Sequence, residues 1–371
     1  MGQYTAIQTE GHINQAIADV LGKLLDKGVV SAVLVPCQQP HRKAVMQTLV
    51  RDPEALAHID PFAPVVPTNS ARLVATLTHH NDAPVAAVVR SCEVRAFLEL
   101  VKLHQGCADN LLIIGIDCYG RYENKDYFAL AAHQEDLTTR FLMSMASGAG
   151  GSDGVVLGAP LANACRMCEY PVAEPVDIRL CAIGTDVTQQ VWFEWVSEKG
   201  LRAMETLALP SQEQGPQARE SAIAKLRKER MAHRDAELAA FRSKTDTMTG
   251  LADVVAACIN CYNCRVACPA CYCKECVFVT DTFRHDGEQV MRWAFHRGHL
   301  KMPTDTVFFH VTRMLHMSTL CVGCGQCSSA CPNDIPVMEL FRSVAERTQA
   351  RFAYVPGSLL TRKTAAGGVS R

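Results

Sequence analysis

Two eleven-residue cysteine patterns carry the strongest chemical signal in the chain. The first is Cys258-x2-Cys261-x2-Cys264-x3-Cys268-Pro269, and its twin is Cys321-x2-Cys324-x2-Cys327-x3-Cys331-Pro332. The x2 spacing lets three thiolates of one tight turn reach three corners of an iron–sulfur cubane. The cysteine before proline opens the next segment, and in two-cluster ferredoxins it ligates the other cluster. The assignment is therefore crossed. Cys258, Cys261 and Cys264 go with Cys331; Cys321, Cys324 and Cys327 go with Cys268. A zinc site would use CxxC pairs and would leave the third and fourth cysteines unexplained twice. Cys271, Cys273 and Cys276 follow the first motif, so residues 258–276 hold seven cysteines. This trio reads first as structural thiols. The alternatives are an extra metal, such as zinc bound with a histidine or a fourth cysteine, or replacement of an assumed ligand. Cys264-x3-Cys268-x2-Cys271 also has the radical S-adenosylmethionine spacing. It overlaps the ferredoxin motif, however, and no repeated βα barrel follows it.

Four more cysteines sit where a fold could gather them. Cys92 follows the strand-like "APVAAVVR", Cys118 ends the strand-like "NLLIIGID", and Cys165 with Cys168 forms "CRMC" in a loop. In an open α/β sheet the carboxyl ends of the strands line the crevice where ligands bind. Thiols at two such ends plus a loop CxxC could close around one cluster. Singly, Cys92 or Cys118 reads equally well as a buried packing residue, as do the isolated Cys37, Cys107 and Cys181.

The elements that must position these thiols follow from periodicity. "INQAIADVLGKLLDKG", "SARLVATLTHHND" and "EVRAFLELVKLHQG" have helical apolar spacing. They alternate with "VVSAVLVP", "APVAAVVRS" and "NLLIIGIDC", which suit buried strands of a parallel or mixed sheet. An α/β (α+β) domain over 1–205 is expected, then a charged helical connector over 206–250, then a helical domain over 251–371. Between the ferredoxin motifs, "DTFRHDGEQVMRWAFHRG" and "PTDTVFFHVTRMLHM" read as helices. The second starts at Pro303, Thr304 and Asp305, with Val307, Phe308, Val311, Met314 and Leu315 at helical spacing. His310 and His316 on it read as ordinary packed or surface histidines. "PVMELFRSVAERTQARF" reads as a further amphipathic helix and "KTAAGGVSR" as a frayed tail.

Composition narrows the function. Lysine and arginine number 37, aspartate and glutamate 38, giving a formal charge of −1. Such balance offers no field for nucleic acid or a membrane surface. No apolar run approaches a spanning helix, and the polar start lacks a secretory apolar region. A cytoplasmic location is expected, and there eighteen cysteines are metal ligands before they are disulfides.

"VVRSCEVRAFLELVKLHQ", "NLLIIGIDCYG" and "CRMCEYPVAEPVDIRLCAIGTD" together resemble the beta subunits of coenzyme F420-reducing hydrogenase and of F420-dependent formate dehydrogenase. The family's features fall on Cys92, Cys118, Cys165 with Cys168, Asp177 and Gly184. The resemblance covers roughly residues 10–190, and the formate dehydrogenase subunits extend it through the ferredoxin region. The helical segment between the two ferredoxin motifs resembles the α-helical ferredoxins of heterodisulfide reductase and succinate dehydrogenase subunits.

The resemblance implies a [4Fe–4S] cluster on Cys92, Cys118, Cys165 and Cys168 beside an FAD, hence three clusters in all. It implies electron exchange between that flavin and coenzyme F420 or another soluble hydride carrier, and a redox complex of several subunits. Flavin contacts are expected at Thr68, Asn69 and Ser70 of "PTNSAR", at Arg95 and at Gly184. The competing readings are a helix cap by Asn69 or Ser70 and solvated arginine for Arg90 and Arg95. Residues 147–154 are a second glycine-rich candidate. The other functional readings are a flavin-free relay subunit and a thiol or disulfide reductase subunit.

Overall fold

The computed structural model describes residues 3–39, 42–79, 81–150, 154–281, 286–298 and 305–358. Pro303, Thr304, residues 151–153 of the glycine-rich stretch and the "KTAAGGVSR" tail lie outside them. The strands are β1 (Gln3–Gln8), β2 (Ala32–Gln39), β3 (Arg42–Val50), β4 (Val85–Arg90), β5 (Leu111–Ile116), β6 (Val155–Val156), β7 (Ala159–Pro160), β8 (Ile178–Cys181) and β9 (Gln190–Trp195). The helices before the second hundred residues end are α1 (Ile13–Asp26), α2 (Ala71–His79), α3 (Ser91–Lys102), α4 (Asn124–His133), α5 (Leu137–Ala146) and α6 (Asn163–Arg166). They are followed by α7 (Glu198–Leu207), α8 (Arg219–Lys244), α9 (Met248–Val254), α10 (Asn263–Ala267), α11 (Gly287–Arg297), α12 (Asp305–Leu320), α13 (Gln326–Ser329) and α14 (Val337–Arg351).

The chain divides into two compact units. The first is residues 1–234 with 322–324 and 355–371; the second is 235–321 with 325–354. The division falls inside α8.

A seven-stranded mixed sheet in the order β1-β9-β8-β5-β4-β2-β3 organises the first unit. Its centre is parallel: β2 with β4, β4 with β5, β5 with β8. Its edges are antiparallel. Every residue of β4 and β5 is buried, as uninterrupted apolar runs in a covered parallel sheet require. Val33, Val35, Ala86, Val88, Leu112 and Ile114 point into one core with α1 and α5. Leu34, Ala87, Val89, Leu111 and Ile113 point into the other, with α2 and α3. This puts helices on both faces and leaves the carboxyl ends of β4 and β5 to carry Cys92 and Cys118.

The outer antiparallel strands β1, β9 and β3 were not anticipated from apolar runs. β9, "QVWFEW", alternates buried and half-buried residues, the period-2 signature of a half-covered strand. β1 and β3 are polar enough to hide the same signal. α8 is a helix along its whole charged length, but it is not solvated all round. Arg219, Ile223 and Arg230 are buried in the first unit, and Leu238 and Phe241 in the second.

The second unit is helical, and its sequence-read helices are present. Asp286 caps α11 by accepting from Gln289 N at 2.7 Å. α12 differs in which face is covered. Phe308, Val311 and Leu315 are 55, 38 and 70% exposed, whereas Phe309, His310, Arg313 and Met317 are buried. The periodicity locates the helix; the cysteine groups beside it decide which face turns inward.

Candidate electron-transfer site

Cys92 lies in the first turn of α3, immediately after β4. The Glu93 carboxylate holds that turn. It accepts from Arg90 N at 2.8 Å, from Ser70 N at 3.0 Å and from Ser70 Oγ at 2.7 Å. Cys118 follows β5, and its N–H donates to Pro171 O at 2.8 Å. Cys165 and Cys168 share one turn, with Cys168 N donating to Cys165 O at 3.2 Å. Gly120 has φ +114°, and a Cβ there would stand 3.1 Å from Cys165 Cβ. Only glycine lets the segment after Cys118 pass so close to Cys165.

These four thiols share one electrostatic neighbourhood. Burial pushes the Cys92 thiol well up, and the charges of Glu93, Cys324, Cys118 and Cys168 push it further. Burial also lifts Cys165, to about 11; Cys118 and Cys168 add to that, while Arg121 and Arg230 oppose it. Cys324 belongs to the first unit and so adds a fifth thiol to this surrounding.

Cations reach the same place from three segments. Arg90, buried, donates from Nη1 to Cys118 Sγ and to Gly120 O, each at 3.4 Å, and from Nη2 to Ala63 O. Arg230 donates to Cys118 O at 3.3 Å and Tyr119 O at 2.6 Å. Arg121 pairs with Glu123 at 3.1 Å. Arg95 donates to Val322 O at 2.9 Å and stacks 4.0 Å over Tyr170. Both Arg90 and Arg95 are buried, which rules out solvated surface arginine. Arg95 Nε and Nη1, Ser91 Oγ and Asn69 Nδ2 are buried without a partner. Unmet donors of this kind fit a group that is anionic and rich in acceptors, as a thiolate-held cluster or a phosphate is.

The remaining sequence-read contacts have their own partners. Asn69 Oδ1 accepts from Ala71 N at 3.0 Å, the geometry of a cap. Ser70 is committed to Glu93, and Thr68 is exposed. Gly184, at φ +74°, lies where a Cβ would stand 2.7 Å from Arg219 Cα. Asp177 accepts from Ile113 N at 2.8 Å and from Ser197 Oγ. A separate cavity of about 430 Å³ is bounded by Met145, Leu161, Arg166, Leu226, Glu229 and Arg230, among others. Its mostly apolar wall with a few charged groups is the usual form of a cofactor site. Arg166 lies between Cys165 and Cys168 in the chain, so the cavity borders the first thiol group.

In the second unit, one pocket is walled by Cys258, Cys261, Cys264 and Cys331 together. Phe309, His310, Ile335 and Val337 complete much of it. The structure thus brings three cysteines of the first motif together with the fourth cysteine of the second. One stripe of α12 runs along the thiols. His310 Nε2 is 3.4 Å from Cys258 Sγ. Arg313 Nη1 donates to Cys264 Sγ at 2.9 Å and Nη2 to Cys264 O at 3.1 Å. Met317 Sδ is 3.7 Å from Cys268 Sγ. Burial lowers His310 to about 4, with Arg313 adding to the effect, which favours the neutral ring. Cys264 is lifted by burial to about 11 while Arg313 pulls it down. Arg313 Nε, Arg265 Nε and His310 Nδ1 have no partner, again the surroundings an anionic cluster would complete. Histidine at position 310 is therefore a thiol neighbour, not an ordinary packed residue. Arg121, Arg230, Glu93 and Arg313 escaped the sequence reading, because nothing in their local spacing marks them.

Cys271 is buried, and Cys273 Sγ is 4.0 Å from His316 Nδ1. Among the described residues, which include all eighteen cysteines, none is in a disulfide. No three histidine, cysteine, aspartate or glutamate side chains among them converge on a point for a single metal ion. No helix among them is long and apolar enough to cross a membrane.

Comparison with known proteins completes the description. A family model for the 4Fe-4S dicluster domain matches residues 254–335. The chain is 25% identical to the F420-dependent formate dehydrogenase subunit beta of Methanocaldococcus jannaschii, over 92% of this chain and 91% of that one. It is 26% identical to the F420-dependent formate dehydrogenase 1 subunit beta of Methanococcus maripaludis, over 95 and 92%. A chain in the xenon-derivatized F420-reducing [NiFe] hydrogenase complex from Methanosarcina barkeri aligns with a TM-score of 0.49 at 12% identity. It covers 67% of this chain and 94% of that one, a likeness too slight to assign a fold. The resemblance read from the sequence thus extends over nearly the whole chain, and a dicluster 4Fe-4S domain is part of it.

Proposed function

We propose that this relative of formate dehydrogenase beta subunits is an iron–sulfur flavoprotein subunit of a multi-subunit cytoplasmic oxidoreductase. It exchanges electrons between a soluble hydride carrier, with coenzyme F420 as the first choice, and [4Fe–4S] clusters that lead to a partner subunit. The observation that carries this is similarity over more than nine-tenths of the chain to two F420-dependent formate dehydrogenase beta subunits. Cys92, Cys118, Cys165 and Cys168 hold one cluster. Cys258, Cys261, Cys264 and Cys331 hold a second, and Cys321, Cys324, Cys327 and Cys268 a third. The shared pocket of the second set and the mutual charge effects of the first support these sets.

When bound, a flavin supplies the conversion between the two electrons of a hydride and the single electrons a cluster carries. The chain supports it in two ways. The cavity between Met145 and Arg230 has the size and lining for a ring system. Asn69 Nδ2 and the free edge of Arg95 are donors awaiting an acceptor such as a phosphate. Thr68, Ser70 and Gly184 complete the expected contact set; Ser70 reaches it only by sharing its bonds with Glu93.

Anaerobic purification with iron, sulfide, zinc and flavin quantification tests the proposal. Twelve ligands for three cubanes predict about twelve iron per chain and a yellow supernatant after acid denaturation. A colourless supernatant with full iron establishes the flavin-free relay instead. About eight iron removes the first-unit cluster.

A further inference from the structure

We infer that Arg313 is a positioning residue that raises and couples the reduction potentials of the two ferredoxin-type clusters. The inference rests on the cluster assignment above. Arg313 is 3% exposed. Its guanidinium is aimed at Cys264, at Sγ and O, and packs 4.7 Å over the Phe341 ring and 5.5 Å over Phe309. The position is fixed by α12 packing against α14 and by aromatic rings, which leave the cation one place to go.

The guanidinium touches one thiol group, and the helix that carries it touches the other. Four residues further along α12, Met317 touches Cys268 of the other set. Arg313 accordingly feels thiolate charge from Cys264 first, then from Cys268 and Cys327, and from Cys271. A thiolate-held cubane becomes more negative on reduction. A buried cation that cannot leave favours the reduced form, and most strongly where it also donates a hydrogen bond to a ligand sulfur. Its charge also reaches Cys268 and Cys327 of the other set, so it lessens the repulsion between the sets when both carry an electron.

EPR-monitored redox titration of the full chain tests this with three variants. R313Q removes the charge. Both clusters are expected to become harder to reduce, the Cys264 set by at least about tenfold in its equilibrium, 59 mV for one electron. R313K keeps the charge but loses the two-pronged contact with Cys264. The Cys264 set should shift downward while the set containing Cys268 and Cys327 stays near its original value. R347Q makes the same charge change at an exposed site of the same unit and should move neither. Wild-type potentials in R313K for both sets overturn the inference even if R313Q fails to assemble. An equal shift in R347Q overturns it too. Absence of two reduced-cluster signals in the unmutated protein would defeat the cluster assignment itself, which is a separate outcome.

Discussion

The two thiol regions are built by opposite means. In the first unit, Cys92 and Cys118 ride on the carboxyl ends of adjacent buried strands, and Cys165, in the short α6 and not in the loop its sequence suggested, and Cys168 just after it come from far along the chain. Their meeting depends on the sheet, on Glu93 tying two helix starts together, and on arginines from three segments. In the second unit, cysteines three residues apart are already neighbours, and one stripe of α12 supplies His310, Arg313 and Met317 to them. The strand-end site is therefore as stable as its sheet. The helical site is as stable as one turn and one helix face.

The strongest way to break that contrast is at Asp117, the residue before Cys118. Its carboxylate is fully buried and pairs with Arg219, and it accepts from Ala182 N at 2.9 Å and Ile183 N at 3.0 Å. Asp117→Ala leaves the guanidinium buried and uncompensated, at a cost of about 3–5 kcal/mol. Chemical denaturation should register that loss, and iron analysis should show first-unit iron falling while the iron of the Cys258, Cys261, Cys264 and Cys331 set remains. If both pools fall together, the two sites are not independently supported.

Glu93 gives a smaller effect of the same kind. Glu93→Ala removes the shared acceptor of Ser70 N, Ser70 Oγ and Arg90 N, costing about 1–3 kcal/mol for the donors left dry. The turn that carries Cys92 loses its clamp. The expected reading is a lower denaturation midpoint with the loss of about four iron per chain. Unchanged iron would mean that Cys92 is placed by β4 alone.

The same contrast explains what the sequence could disclose. The dicluster motifs are legible because their geometry is local: x2 spacing is itself the turn that gathers three thiols. Helices α1, α2, α3, α12 and α14 are legible because apolar residues recur at helical spacing. The first thiol group is visible only as cysteines after apolar runs, since its convergence is a property of strand order. Glu93 and Arg313 carry no local mark at all. A carboxylate beside a cysteine and an arginine on a helix both look solvated until the fold buries them. On α12 the apolar residues mislead about burial, because a face that meets thiol groups needs donors, and Phe308 and Leu315 are left outside.

Asp60 sharpens the comparison by the smallest margin. It is buried in the first unit and shares the Arg90 charge that also acts on Cys118. Its Oδ2 accepts from Thr138 Oγ1 at 2.8 Å and Gln38 Nε2 at 3.1 Å, while Oδ1 has no partner. Burial raises its pKa above its ordinary value, and the hydrogen bonds and Arg90 offset only part of that. A folded-state pKa above the unfolded one means the native state holds the proton more tightly. Its contribution is present below the unfolded value near 3.9 and is lost as pH rises through the folded value. Asp60→Asn removes the charge that neutral pH forces into the core. The variant should melt higher near pH 7, by about 2–4 °C for each kcal/mol relieved, and its advantage should shrink as pH falls through the raised folded-state value. A gap that stays constant with pH would show that Arg90 already neutralises Asp60. The strand-end site would then be balanced in charge on its carboxylate side as the α12 site is not.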